Sequence, residues 1–387
     1  MKVNDKFDVV VVGGGIAGIS AALSARRSGV KVLLIEKNYL LGGLATAGLI
    51  TIYLPLCDGC GNQVSFGIAE ELLRLSVKYG NEGMDADVWL NANADKTERE
   101  KTRFQTEFNA NLFAILCEQH LIDEGVELLY GTLVCDLQQN SNNVNYIIVE
   151  NKNGRTAYGA KAFVDATGDA DLFRFAGCKT ELYKRGNVLA SWYYELTDGV
   201  YGLRPVGQDY KMPIESNRYK QKHYSGVDAK EVSDFVILSH NEILLDFLKK
   251  GGINKNHALC TIPTIPQIRM SRRIQGEYTL DDTESGKFFH DSIGLIGDWR
   301  VKGPVYEIPF GILHGKIRNL FTCGRSVSVT DNMWDVIRVI PACAVTGQAA
   351  GTATAFLKND SKSVDVFELQ KKLKTAGVKI HISDIFL

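Results

Sequence analysis

Gly13, Gly15 and Gly18 stand at G-x-G-x-x-G spacing, between four consecutive valines (Val9 to Val12) and the small-residue run Ile16-Ala17-Gly18-Ile19-Ser20-Ala21-Ala22. A second apolar run, Val30 to Ile35, ends on Glu36, 21 residues after Gly15. That order of strand, glycine turn, helix, strand and acid is the arrangement that holds a dinucleotide. Gly13 permits the tight turn, Gly15 lets the backbone approach a pyrophosphate, and Gly18 lets the helix pack on the strand. The helix start at Ile16 and Ala17 offers free N–H groups and a partial positive charge to phosphate. Glu36, with Lys37 beside it, is placed to accept hydrogen bonds from ribose hydroxyls, and its charge disfavours a 2′-phosphate.

Other residues offer chemistry with a competing structural reading. Cys57-Asp58-Gly59-Cys60 is either a redox dithiol or a plain turn, since Asp and two glycines favour a loop. Arg272 and Arg273 form either a bidentate clamp for a carboxylate or a salt bridge with Glu277. His314 is either an acid–base group working near neutral pH or a buried structural histidine. Arg338 lies with Asp331, Trp334 and Asp335 between Arg325 and the last small-residue helix, a position suited to ligand contact. The remaining histidines lack metal-ligand spacing, and Cys57 and Cys60 lack the second pair a zinc site needs, so no metal is expected.

These residues need elements to position them. Asp8 to Val12 reads as a buried strand, Ile16 to Ser28 as a helix closed by Gly29, and Val30 to Ile35 as the next strand, making one βαβ unit. Ile68 to Tyr79 and Phe108 to Asp123 have helical patterns. Strands follow at Val126 to Tyr130, Leu133 to Leu137, Val144 to Glu150, Thr156 to Tyr158 and Ala162 to Asp165, with an Asn153-Gly154 hairpin signal. Residues 181–310 change character, with many aromatics and charges, short strand-like pieces and a helix expected at Glu242 to Lys250. From Asn319 the α/β pattern returns, with a strand at Leu320 to Cys323 and a helix at Cys343 to Leu357.

Composition narrows the classes. Of 387 residues, 45% are hydrophobic and 23% charged, with 44 Lys plus Arg against 45 Asp plus Glu. A formal net charge of −1 argues against a nucleic-acid partner held by a strongly basic surface. Thirty-seven glycines, about 9.6% against about 7% typically, with only 8 prolines, point to close backbone approach rather than disorder. The polar start, Met1 to Asp8, and the lack of an apolar run of about 18 residues give no membrane span. A cytoplasmic location with eight free thiols is therefore expected.

Four segments carry a resemblance to the bacterial FAD-dependent oxidoreductase family, which has the glutathione-reductase-type FAD fold and is distantly similar to fumarate-reductase flavoproteins. They are Gly13 to Glu36 with Leu41-Gly42-Gly43-Leu44-Ala45-Thr46-Ala47-Gly48; Val164-Asp165-Ala166-Thr167-Gly168-Asp169-Ala170-Asp171; Ile268 to Tyr278; and Asn319 to Arg325 with Arg338 to Pro341 and Thr346 to Gly351. The resemblance implies an α/β chain. A discontinuous, Rossmann-like three-layer FAD-binding domain (residues 1–180 and 311–387) would carry an inserted, largely antiparallel β substrate domain at 181–310. It implies non-covalent FAD contacts from Gly42, Gly43, Leu44, Ala45 and Thr46 at the ring, Val134 at the adenine, and Thr167, Gly168, Gly324 and Arg325 along the cofactor. It also implies Gly347, Gln348 and Gly351 on a helix aimed at the ring, a reading preferred here over close helix packing, the competing explanation for Gly347 and Gly351. In the fumarate-reductase relatives an arginine donates a proton, which keeps Arg272 and Arg273 as candidates. The implied activity is hydride or electron transfer between FAD and an unidentified small molecule. No second G-x-G-x-x-G is present, so electrons would come from a substrate, from transiently docked NAD(P)H or from a redox partner. An NAD-dependent dehydrogenase and a non-catalytic flavin-binding sensor or assembly protein are the competing readings. Oligomeric state is not legible.

Overall fold

A computed structural model describes residues 3–91, 93–207, 222–357 and 363–386. At its centre is a five-stranded parallel sheet in the order Leu320–Thr322, Ala162–Asp165, Val9–Val12, Val32–Ile35, Glu127–Leu129. Its three middle strands are buried along their whole length, the pattern of a sheet covered on both faces. One face carries the Ile16–Arg27 helix, with ten buried residues, and the wholly buried Ile340–Thr354 helix packs on it. The other face is covered by a meander of Leu133–Asn140, Asn143–Asn151 and Gly154–Gly159, whose Val134, Ile147 and Val149 share a core with Val10, Val12 and Leu33. The hairpin turn lies where the sequence expects it: Asn151 pairs with Gly154, whose φ is +80°.

The chain is thus α/β, with a discontinuous three-layer dinucleotide fold and separate antiparallel sheets. Thr180–Leu182 and Arg272–Ile274 pair antiparallel and form the neck of the insertion. Beyond the neck lie the sheet Val200–Gly207, Ala190–Thr197, His257–Thr261 and the Ala229–Lys249 helix. That helix is 21 residues long, far longer than the Glu242 to Lys250 segment the sequence suggests. Asp228 caps it by accepting a hydrogen bond from the Glu231 N–H, and Phe235, Ser239, Ile243 and Phe247 form its buried stripe. Within 181–310 the structure also separates two parts. The hairpin Ser292–Gly297 with Val305–Pro309 packs on the Ile340–Thr354 helix, and its Ile293, Ile296, Tyr306 and Ile308 join the main core.

Candidate functional site

The carboxyl ends of the parallel strands open onto one cavity of about 380 Å³, the edge at which open α/β sheets bind ligands. Three turns build its floor. The first is the Gly13–Gly15 turn, where Gly13 has φ +106° and a Cβ would stand 2.4 Å from the Ala166 carbonyl oxygen. Gly15 lines the cavity, and nothing in the protein lies within 4 Å of where its Cβ would be. The space above Gly15 is therefore left for something other than protein. The second turn, Leu41 to Thr46, is docked on the first by the Gly42 N–H donating to the Gly14 carbonyl at 2.8 Å. The third, Ala166 to Asp169, follows the next strand.

Glu36 closes one end. Its Oε2 accepts from the Gly14 N–H at 2.7 Å, and its Oε1 accepts from the Asn38 N–H and side-chain amide at 2.8 and 2.9 Å. The carboxylate thus fixes the fingerprint turn as well as facing the cavity with Lys37, Asn38, Thr132 and Val134. At the other end are Gly43, Leu44 and Ala45, the first turn of the Ile340–Thr354 helix through Ile340 and Cys343, and Arg338. The Arg338 Nε and Nη2 donate to Asp335 Oδ1, and its guanidinium lies 5.8 Å from the Trp299 ring. A helix N-terminus and a guanidinium at one end favour negative charge there. From the insertion, Gly226, Val232, Ile265, Pro266 and Ile268 supply a wall without a charged group.

Arg325 Nη1 donates to the carbonyls of Ile268 and Arg269 at 2.6 and 3.1 Å, tying the insertion to the sheet edge. Gly168 has φ +81°, a conformation that favours glycine, and its Cβ would lie 2.4 Å from the Arg325 Nη2, so a side chain there would also displace the guanidinium. Under this turn the buried Asp165 carboxylate accepts from Thr167 N–H and Oγ1–H and from the Leu172 and Phe173 N–H groups. Burial pushes Asp165 up to about 7 against the pull of those donors. Burial likewise pushes the Cys343 thiol up to about 12.

Of the sequence candidates, Gly13, Gly15, Ile16, Ala17, Glu36, Lys37, Gly42, Gly43, Leu44, Ala45, Val134, Thr167, Gly168, Gly324, Arg325 and Arg338 converge on this cavity. The others lie elsewhere. A Cβ on Gly347 would stand 2.2 Å from the Ala17 carbonyl oxygen, and one on Gly351 2.0 Å from that of Ala21, so both allow the two long helices to touch. Gly18 serves the same purpose against the Gly13 carbonyl, at 1.8 Å. Gln348 Oε1 accepts from the Ile68 N–H at 2.9 Å and caps the Ile68–Ser76 helix. Thr46 donates to the Leu41 carbonyl and closes its own turn. Arg273 is a structural ion-pair residue, bonded at 2.7 Å to both Glu181 and Asp331 rather than to Glu277. Arg272 donates to the Asp169 carbonyl and pairs with Asp171 beneath the third turn. His314 is buried against Phe310, 4.7 Å between rings, away from the cavity wall. Cys57 is buried and its Sγ accepts from the Phe104 N–H, while Cys60 is exposed on an Asp58-capped turn. Cavity residues outside the candidate set include Asn38, just past Glu36 and Lys37, Asp169, within the segment that starts at Val164, and the insertion's Ile265 and Pro266, which no motif marks. No group able to hold a metal ion and no helix long and apolar enough to cross a membrane occurs among the described residues.

A family model described as "FAD dependent oxidoreductase" matches residues 8–191 and 190–373. The chain belongs to that family. FAD is the cofactor that membership of this family implies. Among curated proteins, it is 33% identical to a thioredoxin reductase of Ureaplasma parvum over 79 residues, 20% of this chain and 26% of that protein. It is 57% identical to a fumarate reductase (cytochrome) of Shewanella frigidimarina over 49 residues, 12% of this chain and 9% of that protein. It is 27% identical over 183 residues, 44% of this chain and 26% of the other, to the Lactococcus lactis tRNA uridine 5-carboxymethylaminomethyl modification enzyme MnmG. These matches span no more than 26% of the relatives' own lengths. A geranylgeranyl bacteriochlorophyll reductase-like structure from Thermoplasma acidophilum aligns over 97% of this chain and 83% of its own, with TM-score 0.49 and 13% identity.

Proposed function

We propose that this FAD-dependent oxidoreductase moves a hydride, or two electrons and a proton, between non-covalently held FAD and a small molecule bound at the Arg338 end of the cavity. One observation carries the reading: a single cavity runs from the Glu36 carboxylate, past the open space over Gly15, to Arg338 and the first turn of the Ile340–Thr354 helix. That sequence of groups suits a long cofactor lying extended. Glu36 would take the adenosine ribose hydroxyls, the Gly13–Ala17 backbone the pyrophosphate, and the Gly42–Ala45 turn the flavin ring. Bound FAD supplies the redox chemistry. The helix N-terminus and Arg338 would stabilise negative charge on the reduced ring and orient an electron-rich substrate. The apolar wall from the insertion would exclude water there. Electrons would come from the substrate, from transiently docked NAD(P)H or from a redox partner. The eight unpaired thiols support a reducing, cytoplasmic setting.

The test is anaerobic titration of the purified yellow protein with NADH, NADPH and a panel of metabolites, read at the flavin band. Bleaching by at least one donor, slowed tenfold or more by Arg338→Met with FAD content unchanged, is the expected result. Bleaching unaffected by that substitution would move the reaction away from the Arg338 end.

A further inference from the structure

Arg338 lines the cavity, yet its orientation is set from behind the cavity wall. The Asp331–Ile337 helix ends on Arg338, and Asp335 stands about one turn earlier on the same helix. Asp335 Oδ1 accepts from the Arg338 Nε at 2.9 Å and from its Nη2 at 2.5 Å. That grip uses one edge of the guanidinium and leaves Nη1 without an acceptor among the described residues. Only 14% of the arginine side chain and 31% of the aspartate side chain are exposed, so water screens the pair in part.

Asp335 is itself braced. The Trp299 Nε1–H donates to its carbonyl at 2.9 Å, and the Trp299 ring lies 5.8 Å from the Arg338 guanidinium. Arg300 Nη1 stands 3.9 Å from Asp335 Oδ2, and Arg300 is bonded at 2.8 Å to the buried Asp298. Charges therefore alternate from the loop after the Ser292–Gly297 strand to the cavity wall, as Asp298, Arg300, Asp335 and Arg338. Of these four, Arg338 alone lines the cavity. An arginine already held by a carboxylate gives up less side-chain freedom when a ligand meets it. The same carboxylate offsets the cation, so the cavity feels a weaker positive field than a lone guanidinium would give.

We propose that Asp335 is a positioning residue of the reaction: it holds Arg338 at the cavity wall and offsets its charge, and so sets how strongly this end favours electrons on the flavin. The proposal rests on the reading that Arg338 marks the reacting end.

The experiment is the two-electron midpoint potential of the FAD-loaded protein, read at the flavin band by equilibration with a reference dye, which requires no known substrate. Asp335→Asn keeps the shape and one acceptor oxygen but removes the charge. It is expected to raise the ratio of reduced to oxidised flavin at a fixed potential about tenfold, an upward shift of about 30 mV. Asp335→Ser, smaller and also neutral, is the second variant, with a shift in the same direction. Asp335→Glu returns the carboxylate and is expected to bring the potential back toward that of the unaltered protein. Arg338→Met is expected to shift the ratio about tenfold the other way. Full FAD occupancy in each variant shows that it folds, and a residue that only braced the fold would not move the potential with these signs. No shift or a downward one in both neutral variants, with Arg338→Met lowering the potential, would overturn the role of Asp335 alone. An upward shift that Asp335→Glu fails to reverse would trace the effect to shape and overturn it too. A potential indifferent to Arg338→Met would take the reacting end away from this arginine, and the proposal with it.

Discussion

At Gly15 and Gly18, two glycines of one motif do opposite work, and the difference is measurable. A side chain at Gly15 meets empty space, so Gly15→Val should leave the protein folded, with an unchanged far-ultraviolet circular dichroism spectrum, yet strip it of FAD. A side chain at Gly18 meets the Gly13 carbonyl oxygen at 1.8 Å, so Gly18→Val should lower the yield of folded protein itself. FAD retained at full occupancy in Gly15→Val would remove the pyrophosphate from that space. The cysteines are decided at the same scale. Cys57 is buried with its Sγ on a backbone N–H, and Cys60 points outward from an Asp58-capped turn, so the pair is built as a turn. Cys60→Ser should leave the rate of flavin reduction within about twofold; a loss of tenfold or more would restore the dithiol. Arg273 shows why residue type alone misleads. Paired arginines suit a carboxylate ligand, but chain folding delivers two carboxylates, Glu181 and Asp331, from 92 and 58 residues away.

Helices and turns account for the remaining differences between sequence and structure. The fingerprint βαβ unit was legible because each of its contacts is local: strand, turn and helix lie within forty residues. The Ala229–Lys249 helix was not, because apolar residues stand on several of its faces: Val236, Ile237, Leu238, Leu244, Leu245 and Leu248 surround the buried Phe235, Ile243 and Phe247, so no single stripe marks it. Gly347 and Gly351 were ambiguous in sequence, since close approach to a cofactor and close approach to a helix both require the missing Cβ. The structure resolves this by showing carbonyl oxygens of the Ile16–Arg27 helix where the side chains would go. Gly351→Val should therefore destabilise the protein by roughly 3 kcal/mol or more, because overpacking here strikes backbone rather than a yielding side chain. Urea unfolding would measure it, and a midpoint within error of the unaltered protein would contradict the helix contact. The same logic separates Gln348 from the cofactor: its side chain is spent on the Ile68 N–H.

Across the molecule, the cavity belongs to both parts of the chain, and its insertion wall was the portion least readable. Ile265, Pro266 and Ile268 carry no motif, and only the fold brings them over the sheet edge. The parts are held together at the third turn, where Asp165 ties the Ala162–Asp165 strand to the Asp171–Phe175 helix, and its carbonyl accepts from Cys323 and Thr322 of the neighbouring strand's end. This gives the whole protein a pH dependence with a definite sign. Burial lifts Asp165 from an ordinary value of 3.8 to about 7 in the folded state. Between those values the folded chain holds a proton that the unfolded chain has lost. The stability associated with that proton is complete below the unfolded value and falls as pH rises toward 7, with a slope of up to about 1.4 kcal/mol per pH unit. Above 7 both states are ionised and the contribution levels off. Denaturant unfolding from pH 4.5 to 8.5, compared with Asp165→Asn, isolates it: the substitution keeps the shape, removes the titrating group and should flatten the profile between pH 4.5 and 7. Identical slopes in the two proteins would mean that the four donors around the carboxylate outweigh its burial and keep it ionised throughout.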